Sequence, residues 1–329
     1  MAHSRKQFTM ATLTTAIFLA VAFLAGCGPE SSAVGTADRT FTVSGPVRLE
    51  LENGSGDSRV TVGTPGEVRV HAEFRVHAWP WENPDRTLKD VVANPPFLQE
   101  GGLIRIGHSS WDIDMVSADY SVTVPPDTQM RGMAGSGNLD VNGIAGPATF
   151  MVGSGNISAT AIMNDTHAAL GSGNVTFTDA QGRIDVTAGS GNVVVRGAKD
   201  EVRARTGSGE IRIEQAGANV VAEAGSGNIE LRGATADVRL HTGSGEINVD
   251  GNPAPSSYWD IHASSGDVAL RVPSSASFRF YARSSSGEIN VTAPSVTEGS
   301  PGKHDFQARI GDGKARVEIE TSSGSISVR

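Results

Sequence analysis

The chain has 329 residues, with 27 Lys and Arg against 36 Asp and Glu, a formal net charge of −9 and a single cysteine. One thiol excludes an internal disulfide framework. An acidic balance disfavours the broad electrostatic footprint by which proteins hold DNA, RNA or anionic headgroups, so no nucleic-acid partner is expected.

Arg5 and Lys6 precede an apolar run over residues 8–24 that ends in Leu24-Ala25-Gly26-Cys27. A basic start, an apolar middle and small residues at the end predict a secretory signal over residues 1–26. Its last four residues resemble the lipobox of bacterial lipoproteins, which implies cleavage before Cys27 and lipid on its sulfur. Cys27 is therefore the candidate lipid-attachment site and a membrane the first expected partner. The location that follows is the bacterial cell envelope, anchored on the extracytoplasmic side. An uncleaved anchor is the alternative, because a run of this length can just span a bilayer. Removing residues 1–26 takes Arg5 and Lys6 and no acid, so the remainder carries 25 basic against 36 acidic residues.

Residues 27–40 are small, polar and aperiodic and read as a flexible tether. Residues 41–131 read as degenerate coils with a cap. There Val47, Leu49 and Leu51 alternate into Gly54-Ser55-Gly56-Asp57, and Val60 and Val62 alternate out. Asn83-Pro84-Asp85, followed by Leu88, Val91 and Val92 and then Asn94-Pro95, predicts a short helix with Asn83 as N-cap and Pro84 at the first helical position. Trp79, Trp81 and Trp111 flank it. They are read as a plug over an open end, with a sugar-stacking platform as the alternative.

Residues 132–292 are the repeat region. The tetrad Gly-Ser-Gly-Asn/Glu recurs at Gly135, Gly153, Gly171, Gly189, Gly207, Gly225 and Gly243, always 18 residues apart. A fixed period of this size is the signature of a solenoid. Apolar residues alternate on both sides of each tetrad: Leu139 and Val141, Ile157 and Ala159, Val175 and Phe177, Ile211 and Ile213 after it, and Val202, Ala204 and Thr206 before the next. That is the period of strands with one buried face. The expected fold is an all-β parallel β-solenoid of about ten coils, each 18–21 residues long, with capped ends. A hexapeptide helix fails because the column reading Met151, Ala169, Thr187, Arg205, Glu223 and His241 is not uniformly small. A calcium-binding nonapeptide roll fails because the second half-repeat lacks its glycines.

Residues 293–329 read as a loop, a hairpin turning at Gly311-Asp312-Gly313, and a closing strand over residues 326–328. Asp119-Tyr120-Ser121-Val122-Thr123-Val124-Pro125, the Ala-Gly-Ser-Gly-Asn-Leu-Asp-Val repeats and the closing stretch from Ile310 to Val328 resemble a bacterial family of unknown function named for "putative adhesin" proteins. The resemblance covers roughly residues 41–329. It implies a right-handed parallel β-solenoid in the cell envelope, with no family-wide catalytic residues to carry over.

No enzyme and no cofactor is expected. No helix follows the tetrads to make a phosphate cradle. The outward acids are interleaved with arginines, whereas a polysaccharide-active β-helix needs converging carboxylates. His241 and His262 share an outward column but supply only half a structural zinc site. Glu246, Asp267 and Glu288 end the tetrad's fourth column as three successive acids and raise the question of a cation there, with pairing to Arg271 and Arg283 as the plainer expectation. The function expected is a surface binding or adhesion module for an envelope or extracellular glycan or protein ligand. A structural spacer or envelope-stress component is the alternative, and the sequence leaves the oligomeric state open.

Overall fold

The computed structural model describes residues 31–78, 83–107, 116–292, 296–301 and 304–329. Among them are two long sheets, of 14 and 15 strands, and one helix. The chain opens with β1 (Ser31–Thr42), β2 (Arg48–Ser55), β3 (Ser58–Val62), β4 (Glu67–Ala78), α1 (Pro84–Ala93), β5 (Phe97–Glu100), β6 (Leu103–Ile106) and β7 (Val116–Val124). Coils of two strands follow: β8 (Gln129–Ser136) with β9 (Leu139–Asn142), β10 (Ala148–Ser154) with β11 (Ile157–Thr160), β12 (Thr166–Ser172) with β13 (Val175–Thr178), and β14 (Ile184–Ser190) with β15 (Val193–Arg196). The run continues as β16 (Val202–Ser208) with β17 (Ile211–Glu214), β18 (Val220–Ser226) with β19 (Ile229–Ala234), β20 (Val238–Ser244) with β21 (Ile247–Gly251), and β22 (Tyr258–Ser265) with β23 (Val268–Arg271). Last come β24 (Phe278–Ser284), β25 (Ile289–Val291), β26 (Val296–Pro301), β27 (Asp305–Ile310), β28 (Ala315–Ser323) and β29 (Ile326–Val328).

Each coil lies parallel on the next, so Ile157 faces Val175, Val175 faces Val193 and Val193 faces Ile211. This is the β-solenoid, and the alternation that predicted it is realised in burial. Leu139, Ile157, Val175, Phe177, Val193, Ile211 and Ile213 are all buried, as are Val202, Ala204 and Thr206 on the opposite sheet.

Backbone crowding explains the tetrad. A Cβ on Gly171 would stand 2.5 Å from the Gly153 carbonyl oxygen. Gly173 has φ of 123°, and a Cβ there would run into the oxygen of Gly155. Neither position admits a side chain while consecutive corners stack one strand spacing apart. Inside the corner, Thr206 and Thr242 donate their hydroxyls to the carbonyls of Gly191 and Gly227 in the preceding coil, which satisfies polar atoms that are buried.

A second corner carries no such signature in the sequence. Gly143, Ala161, Asp179, Gly197, Gln215 and Gly233 occupy it at 18-residue intervals, all with φ between 54° and 85°. The N–H of Ala161 donates to Thr178 and that of Asp179 to Arg196, so each left-handed residue is fixed by the coil that follows. Behind them Ile144, Ile162, Ala180, Ala198, Ala216 and Ala234 form a further buried column.

At both ends, order in space departs from order in the chain. β2 and β3 lie between β6 and β7 on one side and β8 and β9 on the other. β28 and β29 slot between β22 and β23 on one side and β24 and β25 on the other. Antiparallel strands then pair with the outermost coils: β4 on β7, β1 on β4 and β5 on β6 at one end, β27 on β24 and β26 on β27 at the other. Covering the terminal strands in this way removes rows of unpaired N–H and C=O groups that would template association.

Several expectations are corrected here. Residues 31–40, expected to be tether, belong to β1, held along its whole length against β4 with Phe41 and Ala37 buried. The expected hairpin does not form: β27 and β28 flank β24 on opposite sides, and Gly311-Asp312-Gly313 carries the chain across it. The expected loop over residues 293–304 contains β26. β29 is intercalated and closes nothing, because its neighbours are β23 and β25. The helix forms as expected, with the Asn83 side chain accepting the N–H of Asp85 at 3.1 Å, and Val91 buried on the side that packs against β1 and β4. Trp79, Trp81, Trp111 and Cys27 lie outside the described residues.

Candidate functional site

Inward positions are core, so any site belongs to the outward columns. One column of the 15-stranded sheet reads Glu52, Met133, Met151, Ala169, Thr187, Arg205, Glu223, His241, His262 and Glu320 in strict register. It changes character along its length. From Met133 to Ala169 it is apolar and half-buried, and beside it run the bare corner backbones of Gly54, Gly135, Gly153 and Gly171. Together they form an open trough of about 650 Å³.

Farther along, opposite charges meet across strands: Arg205 with Glu223 at 3.2 Å, Arg239 with Asp260 at 3.6 Å and, on the other sheet, Arg212 with Glu230 at 2.7 Å and Arg196 with Glu214 at 3.3 Å. All involve partly exposed side chains, and each contributes little to stability.

His241 and His262 do stand on adjacent strands. Their rings stack with centroids 5.0 Å apart and an interplanar angle of 14°. Parallel stacked imidazoles hold their lone pairs in two separate planes, so a single ion cannot take both. Among the described residues no group of three His, Cys, Asp or Glu is placed to hold a metal.

The tetrad's fourth column is a hydrogen-bonded ladder. The Oδ1 atoms of Asn138, Asn156, Asn174, Asn192 and Asn228 each accept the backbone N–H of the next coil's fourth residue at 2.8–3.2 Å. The three terminal acids are not consecutive, however. Intercalation of β29 puts Ser325 between Asp267 and Glu288, and the Ser325 N–H donates to Asp267 Oδ1 at 2.7 Å. Glu246 and Asp267 remain neighbours, and Glu288 is separated from them by a coil.

Tyr120, from the segment that carries the resemblance, is core: it packs edge-on against Phe74 and Phe97 with centroids 6.2 and 6.4 Å away, and burial pushes its phenol up. At the opposite end Tyr258 donates to Glu318, which also receives Arg316 Nε at 2.8 Å. That shared carboxylate pushes Tyr258 up to about 12 and holds Glu318 below the usual carboxylate range. Tyr258 also borders a cleft of about 470 Å³ between β22, β24 and the crossing at residues 311–314. No described helix is long and apolar enough to cross a membrane.

The family model described as Toastrack DUF4097 matches residues 115–329, more than half of the chain. The protein belongs to this family. The Toastrack match is shorter than the span of 41–329 expected from sequence. It begins just before β7, although the earlier coil of β2 and β3 is built into the same stack. No curated protein matches the chain. Solved structures similar to it include a "putative adhesin" from Parabacteroides distasonis, at 12% identity over 90% of this chain and 97% of that one, with a TM-score of 0.34. A "putative adhesin" from Parabacteroides merdae is similar at 10% identity over 89% and 96%, with a TM-score of 0.28. A "putative cell adhesion protein" from Clostridium sporogenes is similar at 11% identity over 89% and 99%, with a TM-score of 0.26.

Proposed function

We propose that this Toastrack protein is a non-catalytic binding module of the bacterial cell envelope, tethered to a membrane by lipid on Cys27, and that its outward face receives a glycan chain. The trough along Met133, Met151 and Ala169 carries this reading. It offers the same contact once per coil, roughly every 4.8 Å, and such a groove suits a ligand that is itself a repeat. Methionine thioethers and glycine Cα–H groups form an apolar floor for the C–H faces of sugar rings, and the adaptable Met side chain tolerates variation among them. The anchor rests on Leu24-Ala25-Gly26-Cys27 after its apolar run.

Two measurements test the two parts. Full-length protein in detergent is applied to an array of envelope and extracellular polysaccharides beside a Met151→Glu variant, whose half-exposed position tolerates charge without unfolding. The expected result is binding by the parent and loss in the variant; no binding by either, or equal binding by both, refutes the trough. For the anchor, Cys27→Ser is expected to leave an unprocessed chain or one released into the soluble fraction. A processed, membrane-bound mutant refutes lipid attachment.

A further inference from the structure

The methionine trough does not end flat. Toward the N-terminal end of the stack it shares Glu52, Asn53, Gly54 and Gly107 with a second, narrower cavity of about 50 Å³, bounded by β2, β4, β7 and α1. A single water needs only about 10–15 Å³ of such space. Phe74, Val91, Pro96 and Val116 make most of its wall apolar.

Two polar side chains interrupt that wall, Asn53 and Tyr120, and each is more than nine-tenths buried. The Tyr120 hydroxyl lies 3.4 Å from where a Cβ on Gly107 would stand, at the junction of cavity and trough. It makes no hydrogen bond among the described residues, and burial alone perturbs its phenol. Asn53 directs its amide N–H groups to the carbonyls of Gly56 and Ala118 and to Ser58 Oγ at 2.8–3.1 Å, while nothing among the described residues donates to its Oδ1. Buried polar atoms are nearly always partnered by protein or by solvent. Among the described residues only Asp185 Oδ1 is both sealed from solvent and unpartnered, so the two atoms of Asn53 and Tyr120 open onto the cavity.

We propose that this cavity receives the acetamido group of an N-acetylated amino sugar lying at that end of the trough. An acetamido group is one acceptor, one donor and a methyl. Its carbonyl accepts from the Tyr120 hydroxyl, its N–H donates to Asn53 Oδ1, and its methyl enters among Phe74, Val91 and Val116. A bare sugar hydroxyl leaves the apolar wall unfilled. An ammonium or a carboxylate loses its hydration against two neutral partners. The site depends on the glycan reading of the trough and adds to it a requirement for the acetyl group.

The test uses the full-length protein in detergent and titrates a β-1,4-linked tetramer of N-acetylglucosamine by calorimetry, beside the corresponding tetramers of glucose and of glucosamine. The expected result is saturable binding of the acetylated tetramer and binding about tenfold or more weaker for the other two, because both leave Asn53 and Tyr120 unpaired. Tyr120→Phe removes only the hydroxyl and keeps the ring against Phe74 and Phe97. It is expected to weaken the acetylated tetramer about tenfold and to leave the glucose tetramer unchanged. No binding of the acetylated tetramer, equal binding of all three, preference for glucosamine, or full affinity in Tyr120→Phe overturns the cavity. The trough is read separately through Met151→Glu. Equal binding of all three tetramers that this variant abolishes keeps the trough and overturns the cavity, whereas acetyl-selective binding that survives it keeps the cavity and refutes the trough.

Discussion

Replacing Phe177 by alanine gives the sharpest test of how the coils are held together. Phe177 is wholly buried on β13, with Ala159 and Val195 as its neighbours in the column. Neither can reach into the space the ring would leave, since Ala159 has a single methyl and Val195 branches at Cβ. A truncation of this kind costs about 3–5 kcal/mol, toward the upper end where the site cannot collapse. At roughly 2–4 °C per kcal/mol for a domain of a few hundred residues, the melting temperature is expected to fall by about 6–20 °C. Thr178, the next residue, is half-buried on the outward face, and Thr178→Ala is expected to change stability by no more than about 0.5 kcal/mol. Thermal melts followed by circular dichroism, with urea titration as a second probe because repeat arrays can unfold in parts, measure both. Comparable losses for the two variants would falsify the alternation on which every coil depends.

Two further outcomes are expected. Gly173→Ala forces a methyl against the Gly155 carbonyl, whereas Gly233→Ala meets nothing closer than 3.6 Å and takes the conformation that Gln215 already adopts one coil away. The first should cost several kcal/mol and the second about 1–2 kcal/mol, so equal melting temperatures would show that crowding does not set the tetrad. In ultraviolet titration Tyr258 should ionise near pH 12, and Glu318→Gln should return it toward the ordinary range. Because the folded state keeps this proton where the unfolded chain has lost it, the contribution to stability is present below the ordinary tyrosine value and disappears as pH rises to about 12. The lowered carboxyl of Glu318 acts in the opposite sense, its contribution disappearing as pH falls through its folded value. An unshifted phenol in the parent would show that the hydroxyl does not bond to Glu318.

The central coils were legible because two local constraints repeat with the same period: the inward alternation and a corner that only glycine can turn. The second corner was not, since Ala161, Asp179 and Gln215 take left-handed conformations that their identities do not announce. There the hydrogen bond to the following coil overrides intrinsic preference. Intercalation was equally hidden. The pattern of β28 and β29 marks them as one more coil but carries no mark of its place in the stack, because any coil presents the same buried face. The hairpin reading and the three-acid column both failed for that reason.

Placing the last coil next to last in space also orders events during synthesis. Contacts in the middle of the stack join residues 18 apart and can form as the chain emerges, one coil seeding the next. The exposed edge of β22 and β23 cannot do the same, since its partner begins at Ala315 and ends at Val328, as in the bond from Ser325 back to Asp267 across 58 residues. β24 and β25 are made first and must wait, unpaired on that side, for a strand that has yet to be translated. Loop closure over that separation is slower than between neighbouring coils, so completion of the C-terminal end is the late step. A chain that stops a few residues short would keep its central coils and leave a gap in the stack, with two open edges facing each other.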